Sequence, residues 1–290
     1  MQTVGVTVPF DSLTPSKRDA LITLLADDDV AIYQAVRSRL LDYGPAICDW
    51  LRPFTLSADP KLRRRATELL TFHARNAAHQ RFLDFCQKMG ESGDLEMGAG
   101  LLARTRFPEV NQSGYSAILD DWADTLRTTL SGLTESGEIL GEMNRHLFDR
   151  LAFSGNEQYG LDPDCVYFSK ILDRRTGGPI GLCLVYLLLA RRLQLPVTGI
   201  GLPSHFICRY QSSTREIYVD CFRRGAFLSK GDCVKYLLQA RHEAVDGGLS
   251  PVSNRRMLLR MCVNLLHTYR RLEMDEEAAR LQTYVQTLGR

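Results

Sequence analysis

The sequence predicts an α+β fold: one helix buried on every side, packed on a small antiparallel sheet, with helical segments before and after it. Three observations carry this. Residues 179–193 are apolar around the whole helical circumference, which marks a helix in a domain centre. Two short stretches, Phe206 to Tyr210 and Glu216 to Cys221, read as strands around a polar turn. Nearly everything else has helical periodicity.

The elements follow in order. Thr14 and Pro15 read as N-cap and first residue of a helix, and Leu21, Leu24 and Leu25 form its apolar stripe. Helical patterning continues to about residue 95. Within it, Asp29 and Asp59 each precede an amphipathic stretch (29–41 and 59–70), a spacing that suggests stacked helical pairs of the HEAT kind. Residues 91–100 carry three glycines and read as a boundary. Tyr115 to Leu130 is expected as one helix with Leu119, Trp122, Leu126 and Leu130 inward, and Glu138 to Leu151 as another. Cys165 to Leu172 reads as a short helix ended by Gly177-Gly178. Pro179 suits the first position of the buried helix, and Arg191 and Arg192 suit its C-terminal end. A strand is expected at Val197 to Gly201, then the two strands of the hairpin. From Ser229 the pattern is helical, broken at Gly247-Gly248, and it ends in a helical hairpin, Asn254 to Arg271 and Asp275 to Leu288. Ala278 and Ala279 allow the close packing of a tetratricopeptide unit. The expected division is a helical, HEAT-like region over 1–95, a core over 96–245 and a tetratricopeptide-like hairpin over 246–290.

Composition excludes several function classes. With 36 basic and 34 acidic residues the net charge is +2, too balanced to argue for nucleic acid or an acidic membrane. The eight cysteines show no C-x-x-C spacing and no zinc-finger pairing with histidine, so they read as reduced and mostly buried. Residues 1–13 lack a basic stretch followed by an apolar run, and residues 179–190 are too few to span a bilayer. A cytoplasmic protein is expected. His73 and His79 are read as lying on a helical surface.

The residues that could carry chemistry lie on the hairpin. If its turn centres on Ser212-Ser213, Gln211 faces Thr214 and His205 faces Asp220. A carboxylate on one imidazole nitrogen fixes the tautomer and leaves the other as a base, the base–orienter half of a nucleophilic triad. Alternation puts His205, Ile207 and Arg209 on one face and Phe206, Cys208 and Tyr210 on the other, with Asp220 beside His205 and Cys221 pointing away. Cys208 and Cys221 are therefore core residues. Cys183, one turn into the buried helix, and Cys165, third in a helix beginning at Pro163, remain as nucleophile candidates. Asn156 either bonds a loop near the site or holds a left-handed turn after Gly155; Tyr186 is expected to aim its hydroxyl at the hairpin or at water.

Phe153-Ser-Gly-Asn156, Tyr159, Asp162-Pro163, Arg175-Thr-Gly-Gly-Pro-Ile180, Ala190-Arg-Arg-Leu193, Leu195-Pro196, Pro203-Ser-His-Phe206 and Asp220-Cys-Phe222 resemble the SirB-type branch of the transglutaminase-like superfamily. The likeness runs from about Phe107 to Leu238. Leu259-Arg-Met261, Asn264-Leu265 and Tyr269 resemble the tetratricopeptide-like tail of that branch. The resemblance implies a papain-like α+β core, with a Cys at the start of the central helix attacking an acyl group and a His and an Asp on adjacent strands. His205 and Asp220 match the latter pair. The nucleophile position falls near Gly178 to Ile180, where this chain has no thiol. Gln194 and Ser204 stand where the branch usually has Gly, and Cys165 where it usually has Asn.

Two functions are open at this point. One is a degenerate, non-catalytic core that engages a protein partner or peptide, with His205 and Asp220 as a buried pair. The other is a cysteine-type acyl-transfer enzyme, with Cys183 (Cys165 as second candidate) as nucleophile, His205 as base and Asp220 as its orienter. Neither needs a cofactor, and with only His205 near the hairpin (His242 lies well downstream) the sequence argues against a metal.

Overall fold

The computed structural model describes residues 9–239 and 248–290. Two compact units divide at Gln80 and Arg81. In the first, α1 (Pro15–Leu25), α2 (Val30–Asp42), the short α3 (Cys48–Leu51) and the start of α4 (Pro60–Lys88) enclose a core of Phe10, Leu25, Leu40, Ile47, Leu51, Ala66 and Leu69. Thr14 caps α1 by accepting from the Lys17 N–H, and Asp29 caps α2 through Ala31 and Ile32. Arg65 is buried and donates to the carbonyls of Leu25 and Asp27 at 2.8 and 2.7 Å. His73 is not on the surface: it is 8% exposed, and burial lowers its pKa.

The second unit holds the rest. Residues 91–100 are not an open linker, since α5 (Leu95–Arg106) begins within them, capped by Asp94. Gly98 is there for proximity: a Cβ on it would come 2.9 Å from the side chains of Leu258 and Phe85. Then come α6 (Gln112–Leu130) and α7 (Ser136–Asn144). The helix expected to Leu151 changes to a π-helical turn at Arg145–Arg150, where Arg145 and Arg150 both reach the buried Glu142. Two short parallel strands follow, β1 (Ser154–Gly155) and β2 (Thr176–Gly177), on either side of a 3₁₀ turn at Pro163–Cys165 and α8 (Phe168–Arg174). The single helix expected over 165–172 is thus two pieces, and Cys165 ends the first.

Helix α9 (Pro179–Arg192) is buried along its length, from Pro179 through Tyr186 and again over Leu188–Ala190. It packs on one face of a five-stranded antiparallel sheet of order β6-β5-β4-β3-β7. The strands are β3 (Val197–Leu202), β4 (His205–Gln211), β5 (Glu216–Asp220), β6 (Ala226–Leu228) and β7 (Pro251–Val252). Phe206, Cys208, Val219 and Cys221 join α9 in the main core. Ile200, Leu202, Ile207, Tyr218 and Cys233 form a smaller core on the opposite face, with α10 (Lys230–Gln239). Helices α11 (Asn254–Arg271) and α12 (Asp275–Leu288) have the bounds expected from their periodicity, and Met257, Leu265, Tyr269 and Leu281 pack into the main core. The glycine break expected at 247–248 lies partly outside the described residues. No helix among the described residues is long and apolar enough to cross a membrane.

Candidate functional site

The β4–β5 hairpin brings His205 and Asp220 together. His205 Nε2 lies 3.0 Å from Asp220 Oδ2, and the two side chains are 12% and 4% exposed. The register differs from the expected one. Gln211 pairs with Glu216 and Cys208 with Val219, so the turn is Ser212–Arg215 and not two residues centred on Ser212-Ser213. The Ser212 hydroxyl oxygen accepts from the N–H groups of Thr214 and Arg215, which builds the longer loop. His205 and Asp220 are therefore diagonal rather than directly opposed. A slip of two residues preserves the period of two, so they stay on one face and within reach.

Asp220 has a second task. Its Oδ1 accepts from the N–H groups of Phe222 and Arg223 at 3.1 and 3.2 Å, capping the 3₁₀ turn Cys221–Arg223. That cap fixes the carboxylate while Oδ2 holds the imidazole. With a carboxylate as partner, Nε2 carries the hydrogen and Nδ1 keeps a lone pair. Phe222 meets the ring edge-on at 6.1 Å, and Tyr236 of α10 lies 5.8 Å away.

A pocket of about 490 Å³ opens beside His205. Ser204 and Phe206 line it from the sheet side, Pro179 and Ile180 from the first turn of α9, and Arg260, Asn264 and His267 from α11. Gly178, the N-cap of α9, supplies no side-chain cap, and the first two residues of the helix border this space. Ser204 takes φ +53°, a left-handed conformation that explains why Gly suits this position.

Neither thiol candidate lines the pocket. Cys183 is fully buried on the α9 side of β4, its Sγ–H donating to the Phe206 carbonyl at 3.4 Å. The His205 ring leaves the same strand on the α10 face. The sulfurs of Cys183, Cys208 and Cys221 lie within 4.8 Å of one another. Hydrogen bonds link them: Cys221 donates to Cys208 Sγ at 3.8 Å and Cys208 to the Cys183 carbonyl at 3.9 Å. Burial pushes the Cys183 thiol far above its ordinary pKa, the opposite of what a nucleophile needs.

Cys165 is equally buried. It accepts from Asn156 Nδ2 at 3.3 Å and donates to Asp162 Oδ2 at 3.5 Å. Burial, and then the Asp162 charge, raise its pKa to about 12. This settles the choice for Asn156, which bonds Asp162 and Cys165 and has no left-handed backbone. Tyr186 is fully buried, with Cys221 and Cys208 of the hairpin among the groups acting on its hydroxyl and no protein hydrogen-bond partner among the described residues.

The polar face of α11 was not legible as part of a site. Arg260, Asn264, His267 and Arg271 recur at helical spacing, the complement of the apolar stripe Met257, Met261, Leu265 and Tyr269. In sequence such a stripe reads as a solvated helix face, and only the packing of α11 against α12, α5 and the turn Pro163–Cys165 brings it to the pocket beside His205.

Comparison with known proteins agrees with this architecture. The chain is 29% identical over 199 residues to a UPF0162 protein of Xylella fastidiosa, covering 66% of this chain and 70% of that one. It is 27% identical over 167 residues to a UPF0162 protein of Pseudomonas aeruginosa, 57% of this chain and 60% of that one. It is 34% identical over 147 residues to human F-box only protein 21, 48% of this chain and 23% of that much longer one. No solved structure matches the chain. The sequence profile of one family matches residues 113–263, just over half the chain and the span that holds α9, His205, Asp220 and Arg260. On that match the chain belongs to the Transglutaminase-like superfamily.

Proposed function

We propose that this chain is a degenerate transglutaminase-like core that holds a protein or peptide partner without covalent chemistry. One observation carries the reading: the pocket beside His205 has no thiol in its lining, while Cys183 and Cys165 are buried elsewhere with their sulfurs hydrogen-bonded. Base and orienter are kept, and the pair serves to fix one wall of a binding pocket. We also assign the chain to the SirB-type branch, with α11–α12 as a tetratricopeptide-like hairpin and α1–α4 as HEAT-like helices. The balanced charge fits a cytoplasmic protein that engages polypeptide rather than nucleic acid or a membrane.

Iodoacetamide labelling of the native chain, mapped by mass spectrometry, tests this. Cys48, the half-exposed cysteine, is expected to react, and Cys165 and Cys183 only after denaturation. Native labelling of Cys183 that disappears in His205→Ala would overturn the proposal and restore acyl transfer, with Cys183 attacking, His205 as base and Asp220 orienting it.

A further inference from the structure

The pocket beside His205 has an unusual charge inventory. Its lining includes Arg260, Arg271, His205 and His267, and not one Asp or Glu. Arg260 is half-buried, yet it donates to a backbone oxygen, the Leu202 carbonyl at 2.9 Å. Most of the five guanidinium donors are left for something else. Three other sheltered arginines of this unit meet carboxylates, whereas Arg255 spends its guanidinium on four backbone carbonyls and Arg175 lies over Trp122 and Phe153. Arg192 holds Glu96 and Asp120, Arg106 holds Glu277 at 2.8 Å, and Arg209 holds Glu216 at 3.5 Å. No carboxylate among the described residues reaches ion-pair distance of Arg260 or Arg271. Arg271 lies against the bare backbone of Gly160 on the pocket wall.

Geometry adds to charge. Arg260, Asn264, His267 and Arg271 form one stripe along α11, and the first turn of α9 borders the same space through Pro179 and Ile180. Val166, Pro179, Ile180 and Val263 supply an apolar wall between them. The pocket is thus a shelf of donors beside an apolar surface, with room for a group of several heavy atoms.

We propose that this pocket binds a ligand through an oxyanion, a carboxylate or a phosphoryl group, held by Arg260 and Arg271, with the ligand's apolar part against Ile180 and Val263. The proposal rests on the non-covalent reading above and names the chemistry the partner must present. A polypeptide's free carboxylate and a phosphorylated group share it.

The test titrates the full chain with three probes and follows pocket resonances by NMR. N-acetylphenylalanine and N-acetylphenylalaninamide differ only in the charge of the carboxyl group; phenyl phosphate carries the other oxyanion. At least one anion is expected to bind tenfold or more tightly than the amide. Arg271→Gln, an exposed change, and Arg260→Gln should each weaken that anion by about tenfold to a hundredfold. Whichever anion binds more tightly identifies the source. Neither anion binding more tightly than the amide, or affinity for the tighter anion unchanged in Arg271→Gln, overturns the oxyanion assignment and leaves the non-covalent reading standing. An acyl adduct on a cysteine would overturn the non-covalent reading instead.

Discussion

Asp220 does two jobs with two oxygens, one on His205 and one on the amides of Phe222 and Arg223. Asp220→Ala removes both, leaving a sheltered imidazole and two amides unpaired. The expected loss is about 1–3 kcal/mol, combining a lost cap with an unsatisfied buried partner. Asp220→Asn keeps an acceptor for the cap and should lose less. Urea unfolding of both variants measures the order, and equal losses would mean that the retained acceptor and its cap add nothing beyond the charge. His205 and Asp220 were legible together for a physical reason: any even register slip leaves them on one face. Cys183 also betrayed itself. Alternation along β4 puts Phe206 and Cys208 toward α9, so a thiol on α9 is separated from His205 by the strand. His73 was misread because its neighbours in sequence are charged, while burial is set by what packs from elsewhere.

At the scale of elements, the links around α9 carry strain. Gln194, just after the helix, has φ +56°, and Ser204, between β3 and β4, has φ +53°. A side chain in the left-handed region costs about 1–2 kcal/mol, and glycine returns about 0.5–1 through unfolded-state freedom. Gln194→Gly should therefore raise stability by up to about 1 kcal/mol, read as a higher urea midpoint with an unchanged slope. A lower midpoint would mean that the Gln194 side chain earns more than its backbone loses. Long periodic helices were legible to the residue, as α11 and α12 show. The two- and three-residue strands β1, β2, β6 and β7 were not, because so few residues carry no period, and they exist only as pairing partners of longer strands or of each other.

Across the second unit, an ion cluster ties distant segments to α9. Glu96 of α5 accepts from Arg191 and Arg192 at 2.8–2.9 Å and from the Ser116 hydroxyl of α6, with its side chain 7% exposed. Burial alone would raise the Glu96 pKa; hydrogen bonds from Arg192 and Ser116 and the charges of Arg192 and Arg191 outweigh it and lower the value. A carboxyl whose folded pKa is depressed stabilises fully above its unfolded pKa of about 4.3 and loses that contribution as pH falls through the folded value. Glu96→Ala, which leaves Arg192 with Asp120 as its one carboxylate, should cost about 1–3 kcal/mol at pH 7. The gap to the parent should shrink as pH is lowered below about 4. A gap independent of pH would assign the loss to packing instead of charge.

The sequence by itself determined the α+β class, the buried helix, the terminal helical hairpin and the His205–Asp220 pair. Each follows from a local period or a residue's own chemistry, which the chain carries wherever it folds. It also showed that no thiol stands at the start of α9. Tertiary structure alone decided what His205 faces. The pocket joins the end of a strand to the first turn of α9 and to a stripe of α11 far along the chain. Proximity between such segments comes from how apolar faces on their other sides pack. No pattern within either segment encodes it.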